Sequence, residues 1–189
     1  MTIESLPAPM DGRAVEVPSG EPRFEIGTSV VYPVHGVADV VGRECRTVDG
    51  TVENYLVLEI TGEVRSEALT LRVPEGRLED IGVRHAVSVE DAVDVMAVLA
   101  VRDPRVASNW SRRFKNHQEK LRSGDVYACA EVVRNLSLRQ RDKPLAPAET
   151  AMYGSARHGL VSELAISWGI GEDDASDRVD DALKGDAPE

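Results

Sequence analysis

The sequence predicts an α+β protein of two domains, a small antiparallel β-barrel followed by an all-α helical bundle. Between residues 24 and 81 the apolar residues alternate in short runs separated by Pro and Gly, which is typical of β-strands. From Ser88 onward they recur every three or four residues, which is typical of helices. The change of period places the domain boundary near residues 82–87. The predicted divisions are a flexible tail 1–23, a barrel domain 24–84, a helical domain 85–184 and a disordered end 185–189.

The barrel prediction is built from short strands. Residues 30–32 form a β-favouring run that ends at Pro33, and residues 37–45 alternate loosely. Asp49-Gly50 is a strong hairpin signal before a dense β-favouring run at 55–60. A further strand is expected at 68–73. Four or five such strands without an intervening helix bury a common face by curling into a small barrel of the SH3 or Tudor type, which usually binds another protein.

The helical domain is predicted from caps and apolar spacing. Ser88 with Asp91 begins the first helix, and Pro104 ends it. Pro147 suits the first position of the fourth helix, which Gly169 closes. The other helices are expected at 110–121, 125–141 and, as a short helix in a solvated acidic end, 174–183. The residues expected to face inward from the first helix are Val89, Ala92, Val93, Met96 and Leu99.

Composition excludes several classes of protein. The chain has a net charge of −11 and 42% hydrophobic residues, without an apolar run of the roughly 20 residues that a membrane span needs. Its N-terminus lacks the features of a secretion signal, so the expected location is the cytoplasm. Cys45 and Cys129 stand far apart without a CxxC partner, and both are expected to be reduced and structural.

One basic stretch stands out in this acidic chain. Residues 102–122 contain seven Lys or Arg against Asp103 and Glu119, and they surround Trp110. Positive charge beside a large aromatic side chain is suited to holding a phosphate backbone while offering a wedge or stacking surface. From composition alone, the alternative that Trp110 belongs to the helical core and the arginines to a solvated face stays open.

No catalytic motif is found. The sequence has neither a phosphate-binding glycine loop nor GxSxG or HExxH, and its four histidines are isolated, so an enzyme, a metal site or a cofactor is not indicated. His35 is expected to be a turn residue. By themselves Arg46 and Arg72 indicate only solvated surface.

Six sequence blocks occur in one order across the chain, at residues 24–27 (FEIG), 30–36 (VVYPVHG), 53–58 (ENYLVL), 69–74 (LTLRVP), 109–115 (NWSRRFK) and 119–125 (EKLRSGD). Together they resemble a known family, the CarD/CdnL bacterial transcription regulators. The similarity implies an N-terminal Tudor-like domain, like that of the transcription-repair coupling factor, that binds the β subunit of RNA polymerase. It also implies a helical domain that contacts promoter DNA at the upstream edge of the bubble.

The resemblance assigns roles by position. Arg46 and Arg72 match the polymerase-contacting arginines, Trp110 matches the wedge tryptophan, and Arg112, Arg113 and Lys115 lie on the matching basic patch. It implies minor-groove contact without sequence reading, stabilisation of the open complex and, as the expected state, a monomer without a small-molecule ligand or membrane partner. Two alternatives remain: a CarD-like paralogue that represses or antagonises opening, and an adaptor that binds only proteins. The tail 1–23 and a longer loop at 61–68 depart from the family pattern.

Overall fold

The structure, a computed structural model, describes residues 23–33, 36–48, 51–60, 69–102 and 109–185. Several sequence predictions lie outside these ranges. They are the tail up to residue 22, His35, the Asp49-Gly50 turn, the loop 61–68, Pro104 and the end from residue 186.

Within the described part of the N-terminal domain, four antiparallel strands form a sheet in the order β1-β2-β3-β4. They are β1 (Ser29–Tyr32), β2 (Gly36–Val48), β3 (Thr51–Ile60) and β4 (Leu69–Pro74). Because successive side chains alternate between the two faces, Leu56 and Leu58 fall on the buried face of β3. The sheet curls into a half-barrel, which confirms the predicted Tudor-like fold.

A short helical segment follows the last strand, where the sequence analysis predicted only β structure. Glu75–Arg77 form a 3₁₀ turn and α1 (Leu78–Ile81) covers the curled sheet with buried Leu78. Acidic Glu79 and Asp80 in the first turn favour the helix, and Gly82 ends it in a left-handed conformation with φ 87°. The core beneath α1 contains Phe24, Val30, Ala38, Val40, Leu56, Leu58, Val73 and Val83.

In the described residues of the C-terminal domain, up to 102 and from 109 to 185, the chain forms five helices. They are α2 (Val89–Ala100), α3 (Trp110–Arg122), α4 (Val126–Asp142), α5 (Pro147–Trp168) and α6 (Glu172–Lys184). Predicted helix starts are confirmed within two residues, since local capping determines them.

Two N-caps account for predicted helix starts, and one C-cap accounts for a predicted helix end. The side chain of Ser88 accepts the Asp91 N–H at 3.0 Å, and Asn109 accepts the Arg112 N–H at 3.1 Å. Gly169 ends α5 with φ 64°, as a left-handed C-cap.

Two expectations about burial were wrong. Val89 and Val93 are 56% and 63% exposed, because α2 faces the core through Ala92, Val95 and Leu99 instead. The acidic end is also not merely solvated. Its helix α6 places an apolar stripe in the main core, formed by Ala175, Val179, Ala182 and Leu183.

Arg84 joins the two domains. Its backbone pairs with Val31 of β1 in both directions, at 2.8 and 3.2 Å. Its guanidinium binds the carboxylate of Glu163 on α5 at 2.5 and 3.0 Å and donates to the carbonyl of Gly124. Because Glu163 is only 5% exposed in its side chain, this pair is largely shielded from water.

Candidate functional site

Strand pairing brings Arg46 and Arg72 to one face of the sheet. Arg46 stands opposite Glu53 of β3, and Arg72 of β4 stands opposite Val57. Directly paired residues share a face, and so do residues two apart along β3. Arg46 and Arg72 come from different strands and meet on the solvent side, with side chains 51% and 41% exposed.

Glu44 links the two arginines. Its Oε2 accepts from Arg46 Nη2 at 2.7 Å and from Arg72 Nε at 3.0 Å. The hydrogen bonds from Arg72 and Arg46 lower the pKa of Glu44, so the carboxylate stays charged between them. We call Arg46, Glu44 and Arg72 the arginine pair surface. Sequence reasoning missed Glu44, although its spacing of two from Arg46 on a strand is a sufficient signal.

Tyr55 forms the floor of this surface. The Arg46 guanidinium lies 5.9 Å from the centre of the Tyr55 ring, within cation–π range. The Tyr55 hydroxyl donates to Glu53 Oε2 at 2.9 Å, and this bond raises the pKa of the phenol. The aromatic ring and the shared carboxylate together restrict where Arg46 points.

Trp110 is not a core residue. It is the first residue of α3 and is 46% exposed. Its indole stacks on Phe114 one turn later, with ring centroids 5.4 Å apart and planes inclined by 17°. One face of the indole is therefore supported from within α3 while part of the ring is open to solvent.

Arg112 and Lys115 follow Trp110 on α3 by two and five residues and face solvent. Both are exposed, and the Lys115 ammonium lies 3.9 Å from Glu119 with 77% of its side chain accessible. An ion pair so exposed contributes little to stability and holds the lysine only loosely. These two cations and Trp110 form what we call the wedge surface.

Arg113 occupies a different place from the one predicted. Its side chain is 4% exposed, and its Nε and Nη2 donate to Glu149 Oε1 at 3.1 and 2.9 Å. The carboxylate of Glu149 on α5 belongs to a residue with no exposed surface, so the pair is internal. We therefore correct the assignment of Arg113 to the basic patch, because a buried and paired guanidinium does not reach a phosphate.

Burial affects the ionisation of this region. Burial of Glu149 raises its pKa. The hydrogen bonds from Arg113 and the Ala146 amide, together with the nearby arginine charges, lower it by more, so the net shift of the pKa is downward. His117, one turn after Arg113, is 2% exposed, and its burial together with the charges of Arg113 and Lys120 lowers its pKa to about 4. At neutral pH the interior of this site holds an ionised Arg–Glu pair beside a neutral histidine.

Other kinds of site find less support in the described ranges. Within them no group of three or more His, Cys, Asp or Glu is placed to hold a metal ion. The helices of this part of the chain include none long and apolar enough to cross a membrane. Burial raises the pKa of the Cys129 thiol to about 12, which makes it a poor nucleophile.

Trp168 packs against the helical core. The guanidinium of Arg178 lies over its indole, 5.0 Å from the centre of the ring.

Comparison with known proteins matches both domains. Residues 24–87 match the family model of the CarD-like/TRCF RID domain, and residues 94–180 match that of the CarD C-terminal domain. The chain is also 26% identical over 149 residues to the Bacillus subtilis protein named "Putative transcription factor YdeB", across 79% of this chain and 95% of that protein. Two consecutive models and a relative that spans both give the same answer, and this chain belongs to the CarD family of bacterial transcription regulators.

Proposed function

We propose that this protein binds the β subunit of RNA polymerase through the arginine pair surface and contacts promoter DNA through the wedge surface. In this role it stabilises the open promoter complex at the upstream edge of the bubble. It acts in the cytoplasm as a monomer, and the proposal assigns it no catalytic activity.

Exposed Trp110 at the start of a basic helix is the observation that carries the proposal. A half-exposed tryptophan on a water-soluble surface is uncommon and marks a contact surface. The stack on Phe114 supports the indole in one orientation, which suits insertion beside a distorted base step. Because such a contact is available only while the duplex is distorted, it favours the melted promoter over the closed one.

The charges on the two surfaces support different partners. Arg112 and Lys115 on α3 hold phosphates without reading sequence. Arg46 and Arg72 are fixed in direction by Glu44, which suits an acidic patch on a folded protein. Because the whole chain carries a net charge of −11, free DNA is held weakly, and attachment to polymerase supplies the effective concentration.

The test measures the lifetime of competitor-challenged open complexes with Trp110→Ala. If the indole contributes the roughly 1–3 kcal/mol usual for aromatic–base contacts, the lifetime falls by about fivefold to a hundredfold. Val93→Ala is the matched control, because Val93 is an exposed apolar residue on α2 and its loss leaves the lifetime unchanged. Binding to the isolated β subunit is expected to stay intact in both variants.

The alternatives give different results in the same system. An antagonist shortens the lifetime in its wild-type form, and its Trp110→Ala variant restores it. A protein-only adaptor binds polymerase but forms no cross-link to promoter DNA from a photoreactive group at position 110. Either result would contradict the proposed function.

A further inference from the structure

Helix α3 is attached to the domain in an unusual way. Its buried side chains are those of Arg113 and His117, and its apolar contact with the helical core comes from Leu121, which is only partly buried. Its neighbours α2, α4, α5 and α6 each bury apolar residues in the common core. The fully buried contacts of the helix that carries Trp110 are therefore polar.

Glu149 accepts the hydrogen bonds that attach α3 to the domain. It lies in the first turn of α5, where its Oε2 accepts the Ala146 N–H at 3.3 Å. Arg139 of α4 places its Nε 3.5 Å from the same oxygen, while Arg113 of α3 binds Oε1 through two nitrogens. One carboxylate thus connects three helices.

The opposite flank of α3 leaves room for rotation. Phe114 and Leu121 line a cleft of about 420 Å³ between α3, α5 and the end of the sheet near Pro33. Around Phe114 the cleft leaves this side of α3 without close packing, whereas partly buried Leu121 at the other end of the helix packs against the helical core. A side chain about 5–6 Å from the helix axis moves by about 2 Å when the helix turns by about 20°. A shift of that size is enough to spoil a stacking contact.

We propose that the Arg113–Glu149 pair positions the wedge, fixing the rotation of α3 so that Trp110 is presented at one angle. An arginine fork on a carboxylate is directional, whereas an apolar contact of the same size tolerates sliding and rotation. Arg113 lies three residues from Trp110, so a constraint at Arg113 acts within the same turn of helix. Arg113 and Glu149 are positioning residues and do not touch DNA. This inference rests on the proposed function of Trp110.

The test separates positioning from stability with the double variant Arg113→Met/Glu149→Gln. The amide keeps an acceptor for the Ala146 N–H and the methionine fills the space of the arginine stem, so that the charge left at this site is that of Arg139, whose side chain is 33% exposed. We expect a melting temperature within a few degrees of wild type, unchanged binding to the β subunit and an open-complex lifetime at least about fivefold shorter. We also expect faster indole motion at Trp110, measured by fluorescence anisotropy decay in a Trp168→Phe background. Unchanged lifetime and unchanged indole motion would overturn the inference.

Two further variants keep the test decisive. Arg113→Lys keeps the buried charge but loses the fork, so the lifetime and the ordering of Trp110 are expected to fall at equal folded fraction even if the double variant fails to fold. A wild-type lifetime with wild-type indole order in that variant would contradict positioning. Trp110→Ala is measured alongside. If it leaves the lifetime unchanged, the proposed function fails, and the positioning role is then decided by the anisotropy alone.

Discussion

The two candidate surfaces differ in the ion pairs near them: those of the sheet are exposed, whereas the Arg113–Glu149 pair of α3 is buried. The arginine pair surface carries its ion pairs outside, over a β-ladder whose other face is fastened by buried Leu56 and Leu58. Helix α3, which carries the wedge surface, has the Arg113–Glu149 ion pair on its inner side, where both residues are at most 4% exposed, and turns Trp110 outward.

Because of this difference, substitutions of the sheet arginines are expected to change binding, whereas substitution of the buried arginine of α3 is expected to change stability. On the sheet, the arginines are exposed and lie outside the buried core of the domain, so their loss is expected to weaken binding alone. On α3, one arginine of the basic run supports the fold while its neighbour Arg112 faces solvent. The adjacent residues Arg112 and Arg113 therefore have opposite expected consequences when they are removed.

The largest expected effect is on stability, from Arg113→Ala. Removing one partner of a buried pair leaves Glu149 charged with only the partly exposed Arg139 beside it, which costs about 3–5 kcal/mol of the free energy of unfolding. Arg112→Ala, the matched control one position earlier, is expected to stay within about 0.5 kcal/mol of wild type. Urea unfolding followed by circular dichroism measures both. Equal effects of the two substitutions would remove the contrast between the inside and outside of α3.

A second effect on stability comes from pH. The pKa of His117 is about 4 in the folded protein against about 6.5 in the unfolded chain, so the unfolded state binds more protons between these values. The stability associated with neutral His117 is fully present above pH 6.5 and is lost as the pH falls toward 4, by up to about 3 kcal/mol.

The measurement compares urea unfolding of wild type and His117→Leu from pH 7 to pH 4. The difference in unfolding free energy between the two is expected to shift in favour of the variant as the pH falls. Other titrating groups cancel in this difference. Parallel curves for His117→Leu would show that His117 is not held neutral.

Local signals in the sequence predicted most of the fold. The strands follow from alternation, and two helix starts follow from Ser88 and Pro147, because caps and turns act within a few residues. The burial of α6 was missed because its acidic residues dominate the composition, although its apolar residues recur at helical spacing. The error on α2 has a different origin. This helix has more apolar positions than can face the core, and only packing selects among them.

The site was predictable in part. The position of Trp110 at the start of a helix was foreseen, but its exposure depends on where α3 lies in the domain. Arg113 could not be separated from Arg112 by sequence, since its partner Glu149 is 36 residues away and only the tertiary fold brings them together. Glu44 was predictable from strand parity alone. Long-range pairing, more than local structure, limits inference from a single sequence.

For the arginine pair surface on the sheet, we predict a loss of binding without a loss of stability. Arg46→Glu or Arg72→Glu is expected to weaken affinity for the β subunit by about 1–2 kcal/mol, because each substitution places a repelling charge beside Glu44 and the partner surface. The melting temperature is expected to stay near the wild-type value. Arg77→Glu, an exposed reversal in the turn after β4, is the control for net charge. Unchanged affinity for both test variants in a two-component titration would reject the assignment of the arginine pair surface.

The smallest expected effect concerns the outer charges of the wedge surface, and it is visible mainly as a dependence on salt. Each phosphate contact that is lost reduces the slope of log affinity against log salt by about 0.9, because fewer counterions are released on binding. Arg112→Ala/Lys115→Ala is therefore expected to flatten the slope for promoter-complex formation by up to about 2, while thermal stability stays unchanged because both side chains are exposed. Lys184→Ala on α6 removes an exposed cation elsewhere and is expected to leave the slope as it is. If the double variant kept the wild-type slope, Arg112 and Lys115 would belong to a solvated face, and Trp110 would have to hold DNA without phosphate contacts from its own helix.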